Sequence, residues 1–274
     1  MADHGKPPLI AVENLVKRYE RTNLAGVRED VRALDGVSLK IFPGTTLAVV
    51  GESGSGKSTL ASCLACLETP TAGSICFKQV DIASLRESSL RRIRPQIQLI
   101  FQDPASSLNP KWSVLEILLE PTFLRGKLNR EASHQQAAAA LERVGLPLDF
   151  MRRHPMELSG GQRQRLAIAR ALVLEPELLI LDEALSALDC SVQAQIANLL
   201  LDLQNSLRMT YVFITHDLAM AAYLADEIVV MNRGRIVEQG PAATILQHPE
   251  HETTRQLLAA VPRFARVQQP ALEQ

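Results

Sequence analysis

"VVGESGSGKSTL", residues 49–60, decides the fold. An apolar run leads into closely spaced glycines, and a helix-forming stretch follows. Gly51–Ser58 fits G-x-x-x-x-G-K-[ST], in which backbone N–H groups cradle phosphates at a helix N-terminus. The glycines Gly51, Gly54 and Gly56 let backbone N–H groups wrap the phosphates, and Glu52, Ser53, Ser55 and Thr59 are candidate nucleotide-binding residues of the same stretch. The Lys57 ammonium would neutralise β- and γ-phosphates, and the Ser58 hydroxyl would ligate Mg²⁺.

Outward from this loop, strand-like runs alternate with helical patterns. "VSLKI" and "TLAVV" precede it, a helix from about Lys57 to Leu67 follows, and "SICF" and "IQLIF" read as strands. "LLILD" and "YVFIT" are short, branched-aliphatic runs suited to a sheet buried on both faces. Between them Val192, Ile196, Leu199 and Leu203 mark an amphipathic crossover helix. Strand–helix–strand alternation means α/β with a parallel sheet. "IVVMNRGRIVEQG" reads as a hairpin turning at Asn232-Arg233-Gly234. From about Asp103 to Glu157 the pattern is helical, and after Gly240 "PAATILQ" and "HETTRQLLAAV" read as short helices before a frayed tail.

A chain of 274 residues with 46% hydrophobic residues can bury a large core. Its net charge of −1 argues against a nucleic-acid partner. No apolar run is long enough to cross a bilayer, and the start lacks the pattern of a secretory signal. A cytoplasmic protein able to dock on a membrane protein is expected. Cys63, Cys66, Cys76 and Cys190 show no zinc-ligand spacing and read as semi-buried thiols, the C-x-x-C pair lying inside the first helix.

Further chemistry clusters at strand ends. Asp182 closes "LLILD" and can hold the magnesium ion; Glu183, next to it, can orient and polarise a water. Gln102 follows "IQLIF" and His216 follows "YVFIT", at the sheet edge where ligands bind in open α/β folds. Gln102 could reach the metal or the water, and His216 the γ-phosphate.

"ELSGGQRQRLAIARAL", residues 157–172, has two readings. Ser159 and Gln162 fit the capping box S-x-x-[EQ]. Gly160 and Gly161 between them weaken a first helical turn, unless something must approach the backbone closely. That second reading is another phosphate site, and the residues alone leave both open.

Together, "GESGSGKST", Gln102 in "IFQDP", "LSGGQRQR", "LLILDE", "SALD" and His216 in "THD" resemble an ATP-binding cassette ATPase from about Ile10 to Gln239. The resemblance implies a P-loop NTPase (RecA-like) core with a mostly parallel sheet, an N-terminal antiparallel β portion and an inserted α-helical subdomain. It divides the chain into a nucleotide-binding core at 1–102 and 158–240, a permease-contacting helical insert at 103–157, and a C-terminal extension and tail at 241–274. Gly51–Thr59 then resemble the Walker A loop and Asp182 the Walker B carboxylate. Glu183 looks like the general base, Gln102 the Q-loop glutamine and metal ligand, and His216 the switch histidine. Ser159, Gly160, Gly161 and Gln162 match the signature presented in trans, Ser186–Asp189 match the D-loop, and Tyr19 matches the aromatic that stacks on adenine. An irregular stretch, "RTNLAGVREDVR", separates Tyr19 from the next strand. Where the family often reads D-E-P-T-S-A-L-D, this chain has Ala184 and Leu185 in place of Pro-Thr.

"IFQDPASSLNP", "HPMELSGGQRQR" and "HPEHETTRQLLAAVP" are similar to ATPases of peptide and nickel importers, this chain looking like the shorter-tailed second member of a pair. The resemblance implies ATP and Mg²⁺ as cofactors, and a paralogous or identical ATPase as partner. It also implies two transmembrane permease subunits, an external solute-binding protein, and a peripheral place on the cytoplasmic face of the inner membrane. The cargo stays open among dipeptides, longer peptides, antimicrobial peptides and a nickel chelate. A soluble cassette ATPase and a non-enzymatic adaptor are the rival classes. No cysteine follows Cys190, so no iron–sulfur cluster is expected.

Overall fold

A computed structural model describes residues 7–22, 28–103, 107–124 and 130–260. The strands are β1 (Ile10–Thr22), β2 (Arg28–Ile41), β3 (Thr46–Gly51), β4 (Ala72–Phe77), β5 (Val80–Asp81), β6 (Ile97–Ile100), β7 (Leu178–Asp182), β8 (Thr210–Thr215), β9 (Glu227–Asn232) and β10 (Arg235–Pro241). The helices are α1 (Lys57–Leu64), α2 (Glu87–Ile93), α3 (Val114–Leu124), α4 (Arg130–Arg143), α5 (Gly160–Leu172), α6 (Cys190–Leu207), α7 (Leu218–Leu224), α8 (Ala242–Gln247) and α9 (Glu252–Ala260).

Two sheets form, a six-stranded one in the order β10-β9-β3-β8-β7-β6 and a four-stranded one in the order β2-β1-β4-β5. The large sheet is parallel except for the β9–β10 hairpin. The small sheet is antiparallel. Branched aliphatic side chains fill both faces of the large sheet, which is why its strands read as continuous apolar runs. Leu178, Ile180, Val212 and Ile214 face α1 and the small sheet through one hydrophobic cluster. Leu179, Leu181, Tyr211 and Phe213 face the other way, into a cluster with α3, α4, α5 and α6. That second cluster is continuous from the described residues of 107–157, including α3 and α4, into α5 and α6. On the same side as α5, Ala48, Val50, Ile228 and Val230 carry α7, α8 and the apolar side of α9.

Three sequence expectations change. The first helix stops at Leu64, and Cys66 lies beyond it in the left-handed region with φ 57°. Leu67 N–H bonds Ser62 O at 2.9 Å and Cys66 N–H bonds Cys63 O at 3.1 Å, a Schellman stop that no glycine or proline announces. The stretch around 21–32 is no irregular interruption where it is described: β1 and β2 pair from Ile10↔Ile41 out to Thr22↔Arg28. Residues 23–27 of that stretch, and the tail 261–274, lie outside the described residues. Cys190 is exposed rather than semi-buried, while Cys63 and Cys66 are buried. Among the described residues of 103–157 there is no strand.

Candidate functional site

The phosphate loop runs from the end of β3 into α1, and its glycines answer to the surrounding backbone. A methyl group at Gly51 would lie 2.3 Å from the Met231 carbonyl oxygen; one at Gly56 would lie 2.4 Å from that of Ala33. Gly56 is the N-cap of α1 and offers no side-chain cap, so the first-turn N–H groups stay available to an anion. Lys57 is buried and donates to the carbonyls of Gly51 at 2.9 Å and Glu52 at 2.8 Å. Burial holds its pKa below the ordinary lysine value, against the pull of the Glu183 and Asp182 carboxylates.

Beside the loop, the Ser58 hydroxyl donates to Asp182 Oδ1 at 3.2 Å, joining residues far apart in sequence. Burial pushes the Asp182 carboxyl above its ordinary range, while the Ser58 hydrogen bond opposes the rise. A divalent cation between the two oxygens would favour the carboxylate. Ser55 Oγ is buried in the same loop without a hydrogen-bond partner among the described residues. An uncapped helix start, an ammonium, a hydroxyl–carboxylate pair and an unpaired hydroxyl together form a donor set that fits a Mg²⁺-bound nucleoside triphosphate.

Next along the edge, Glu183 sits in the left-handed region at φ 48°, unusual for a non-glycine residue. Its N–H bonds the Ile214 carbonyl at 3.0 Å, and its own carbonyl accepts from the Ser186 hydroxyl at 2.8 Å. This pinned turn aims the carboxylate at the neighbouring strand end, where Glu183 Oε1 is 3.7 Å from His216 Nδ1. Strained backbone of this kind clusters at functional sites. Ala184 and Leu185, the departure from Pro-Thr, are buried apolar residues in the core beneath the loop.

Gln102 lies just past β6, whose Ile100 pairs with Leu181 of β7, and it is exposed. Among the described residues no hydrogen bond joins it to Ser58 or Asp182. Tyr19 is half-buried on β1 with the Lys17 ammonium 5.0 Å from its ring centroid. Its strand partner β2 places Ala33 and Leu34 against Gly56, so Tyr19 is on the sheet that backs the loop.

The segment 159–162 forms the capping box: Ser159 Oγ accepts from Gln162 N–H at 3.3 Å, and Gln162 Oε1 accepts from Ser159 N–H at 2.9 Å. The two glycines inside it differ. A methyl at Gly161 would lie 2.6 Å from Val192 Cγ1 on α6, whereas one at Gly160 would meet Leu188 at an ordinary 3.5 Å. Close packing within the chain accounts for Gly161 and leaves Gly160 without a structural need. The helix that this box caps, α5, belongs to the face of the sheet opposite α1. Asp189 has a local role that its motif did not reveal: it caps α6, accepting from Val192 N–H at 2.9 Å. That backbone hydrogen bond, with one from Ser191, holds its carboxyl below the ordinary range.

Comparison with known proteins shows the family of the chain. Residues 34–186 match the family described as ABC transporter. The dipeptide transport ATP-binding protein DppF of Haemophilus influenzae is 43% identical over 259 residues, spanning 94% of this chain and 79% of that protein. The Escherichia coli protein of the same name is 44% identical over 258 residues, spanning 94% and 77%. A solved dimeric post-hydrolysis state of the ATP-binding cassette MJ0796, bound to ADP and Pi, aligns with a TM-score of 0.74 at 31% identity, covering 85% of this chain and 98% of that one. The chain belongs to the ABC transporter family of ATPases.

Proposed function

We propose that this chain is the ATP-binding and ATP-hydrolysing subunit of a bacterial importer for di- or oligopeptides. The names of its relatives support the transport role, and the convergence of Lys57, Ser58, Asp182, Glu183 and His216 at one sheet edge supports the chemistry.

Lys57, released from the Gly51 and Glu52 carbonyls, and the uncapped N–H groups of α1 bind and orient the β- and γ-phosphates. Ser58, Asp182 and Gln102 would hold Mg²⁺, which supplies charge neutralisation on the phosphates. Glu183 accepts a hydrogen bond from the attacking water and fixes its line of approach; His216, beside it, contacts the γ-phosphate. Tyr19 stacks on adenine. Ser159, Gly160, Gly161 and Gln162 act on the nucleotide of a partner ATPase, with Asp189 at the junction. What supports this in-trans role is that α5 and α1 occupy opposite faces of the sheet.

The partner is a paralogous or identical ATPase, and the complex includes two permease subunits and an external solute-binding protein at the cytoplasmic face of the inner membrane. No helix among the described residues is long and apolar enough to cross a membrane. A permease therefore has to be met by a surface. A cleft of about 810 Å³ beside α3 and α5, lined by Arg91, Arg92, Phe101, Pro121 and Arg170, is the surface we assign to it. A nickel chelate or antimicrobial peptide as cargo is the competing outcome, separated by transport assays.

The test is Glu183→Gln in the assembled transporter. Hydrolysis should fall at least about a hundredfold, with Mg-ATP binding by the chain preserved. Wild-type turnover would remove Glu183 from its role.

A further inference from the structure

The last described helix, α9, is tied to the back of the phosphate loop through one turn. Asn232, the last residue of β9, donates from Nδ2 to Thr253 Oγ1 of α9 at 3.0 Å. Arg233 and Gly234 follow at φ 48° and 78°, the signs a type I′ hairpin turn requires. Gly234 N–H bonds the Ser55 carbonyl inside the loop at 2.9 Å, and its carbonyl accepts from Asp35 N–H of β2 at 2.9 Å. Arg235 then clamps Asp35 Oδ2 through Nε at 2.8 Å and Nη2 at 2.6 Å. On the strand before the turn, the Met231 carbonyl lies against Gly51. One hairpin thus touches the phosphate loop near both ends.

The helix is anchored at its own start. Glu238 of β10 accepts from Glu250 N–H at 2.9 Å, His251 N–H at 3.0 Å and the Thr254 hydroxyl. Thr253 and Thr254 are both buried, and α9 packs against β3 and β9, the strands that carry the loop and the turn. Nothing in the nucleotide chemistry uses these residues, although the geometry links them to it.

We propose that Thr253 is a positioning residue for the phosphate loop, holding the β9–β10 turn through Asn232 so that Gly234 keeps the Ser55 backbone in its phosphate-binding shape. The inference rests on the reading of Gly51–Ser58 as the nucleotide site. An isolated phosphate loop rich in glycine loses conformational entropy when it orders around an anion, and a brace that orders it beforehand lowers that cost.

The test compares the full-length Thr253→Val, Thr253→Ser and Lys57→Ala chains, by Mg-ATP titration calorimetry and by amide exchange without nucleotide. Valine keeps the shape of threonine but cannot accept from Asn232. Thr253→Val should weaken Mg-ATP affinity about two- to tenfold and speed exchange at residues 51–58 in the nucleotide-free chain. Thr253→Ser should restore both, and Lys57→Ala should abolish binding. Wild-type affinity and exchange in Thr253→Val, with Lys57→Ala inactive in binding, would overturn the brace alone. Faster exchange spread over the whole chain, or no rescue by serine, would reduce Thr253 to a folding role and overturn it as well. Undiminished binding by Lys57→Ala would overturn the nucleotide-site reading and the brace with it.

Discussion

Replacing Gly160 and Gly161 by alanine should affect stability differently, only the change at Gly161 being destabilising. At Gly161 the new methyl carbon would sit 2.6 Å from Val192 Cγ1, well inside the ordinary carbon–carbon separation of about 3.5–4.0 Å. Val192 is β-branched and lies in the first turn of α6, where one rotamer dominates, so it yields only by shifting the helix. Overpacking of this kind costs about 1–3 kcal/mol, and alanine recovers about 0.5–1 kcal/mol of glycine's helical penalty. Taking the middle of each range, the net loss is about 1.3 kcal/mol, or a Tm lowered by roughly 3–5 °C in a chain of this size. At Gly160 the methyl would find ordinary contact at 3.5 Å, so the helical gain stands alone and Tm should hold or rise by a few degrees. Differential scanning calorimetry of the isolated chain reads both. In a Val192→Ala background the clash disappears, and Gly161→Ala should then stabilise, a coupling that a double-mutant cycle isolates. A Gly161→Ala chain that melts at or above wild type with Val192 intact would refute the packing account of that glycine.

Other expectations follow from single features. The Gln164 side chain on α5 is fully buried and its amide makes no hydrogen bond among the described residues, so Gln164→Met should raise Tm by relieving about 1–3 kcal/mol of desolvation; a lower Tm would contradict this. Burial pushes the Cys63 and Cys66 thiols up to about 11, so a disulfide reagent at neutral pH should label exposed Cys190 promptly and leave that pair until unfolding. Prompt labelling of Cys63 or Cys66 in the native chain would show the first helix end to be open. Burial acts to raise the Glu238 carboxyl, but hydrogen bonds from Glu250, Thr254 and His251 outweigh it and lower the pKa. A lowered folded pKa means that the anchorage of α9 is complete above the ordinary value of 4.5 and is lost as pH falls through the folded value. Amide exchange at 250–254 should accelerate over that acid range, and Glu238→Gln should remove the pH dependence.

What the sequence made legible was local or strictly ordered. Gly51–Ser58, the alternation of "LLILD" and "YVFIT" with an amphipathic helix, and the capping box Ser159–Gln162 each carry their reason within a few residues. The long β1–β2 pairing was hidden because its outer part is polar, with no apolar alternation to mark a strand. The end of α1 was misjudged because a cysteine rather than a glycine takes the left-handed position. The difference between Gly160 and Gly161 depends on Val192 from another helix, and the role of Thr253 depends on a turn 21 residues earlier in the chain. Such contacts have no sequence spacing to betray them. Asp189 was read as part of a motif while its immediate work, capping α6, was equally available from its place before a helical run.

On the proposed in-trans reading, the loop Gly51–Ser58 and the segment Ser159–Gln162 of this chain serve different nucleotides. Gly160→Asp tests it most directly, because an acid in the first turn suits the helix dipole of α5 while repelling phosphate. Mg-ATP titration of the isolated variant should give wild-type affinity, although the assembled transporter carrying it loses hydrolysis. A folded Gly160→Asp chain whose own ATP affinity falls tenfold or more would place the signature on the same nucleotide as Lys57 and contradict the account.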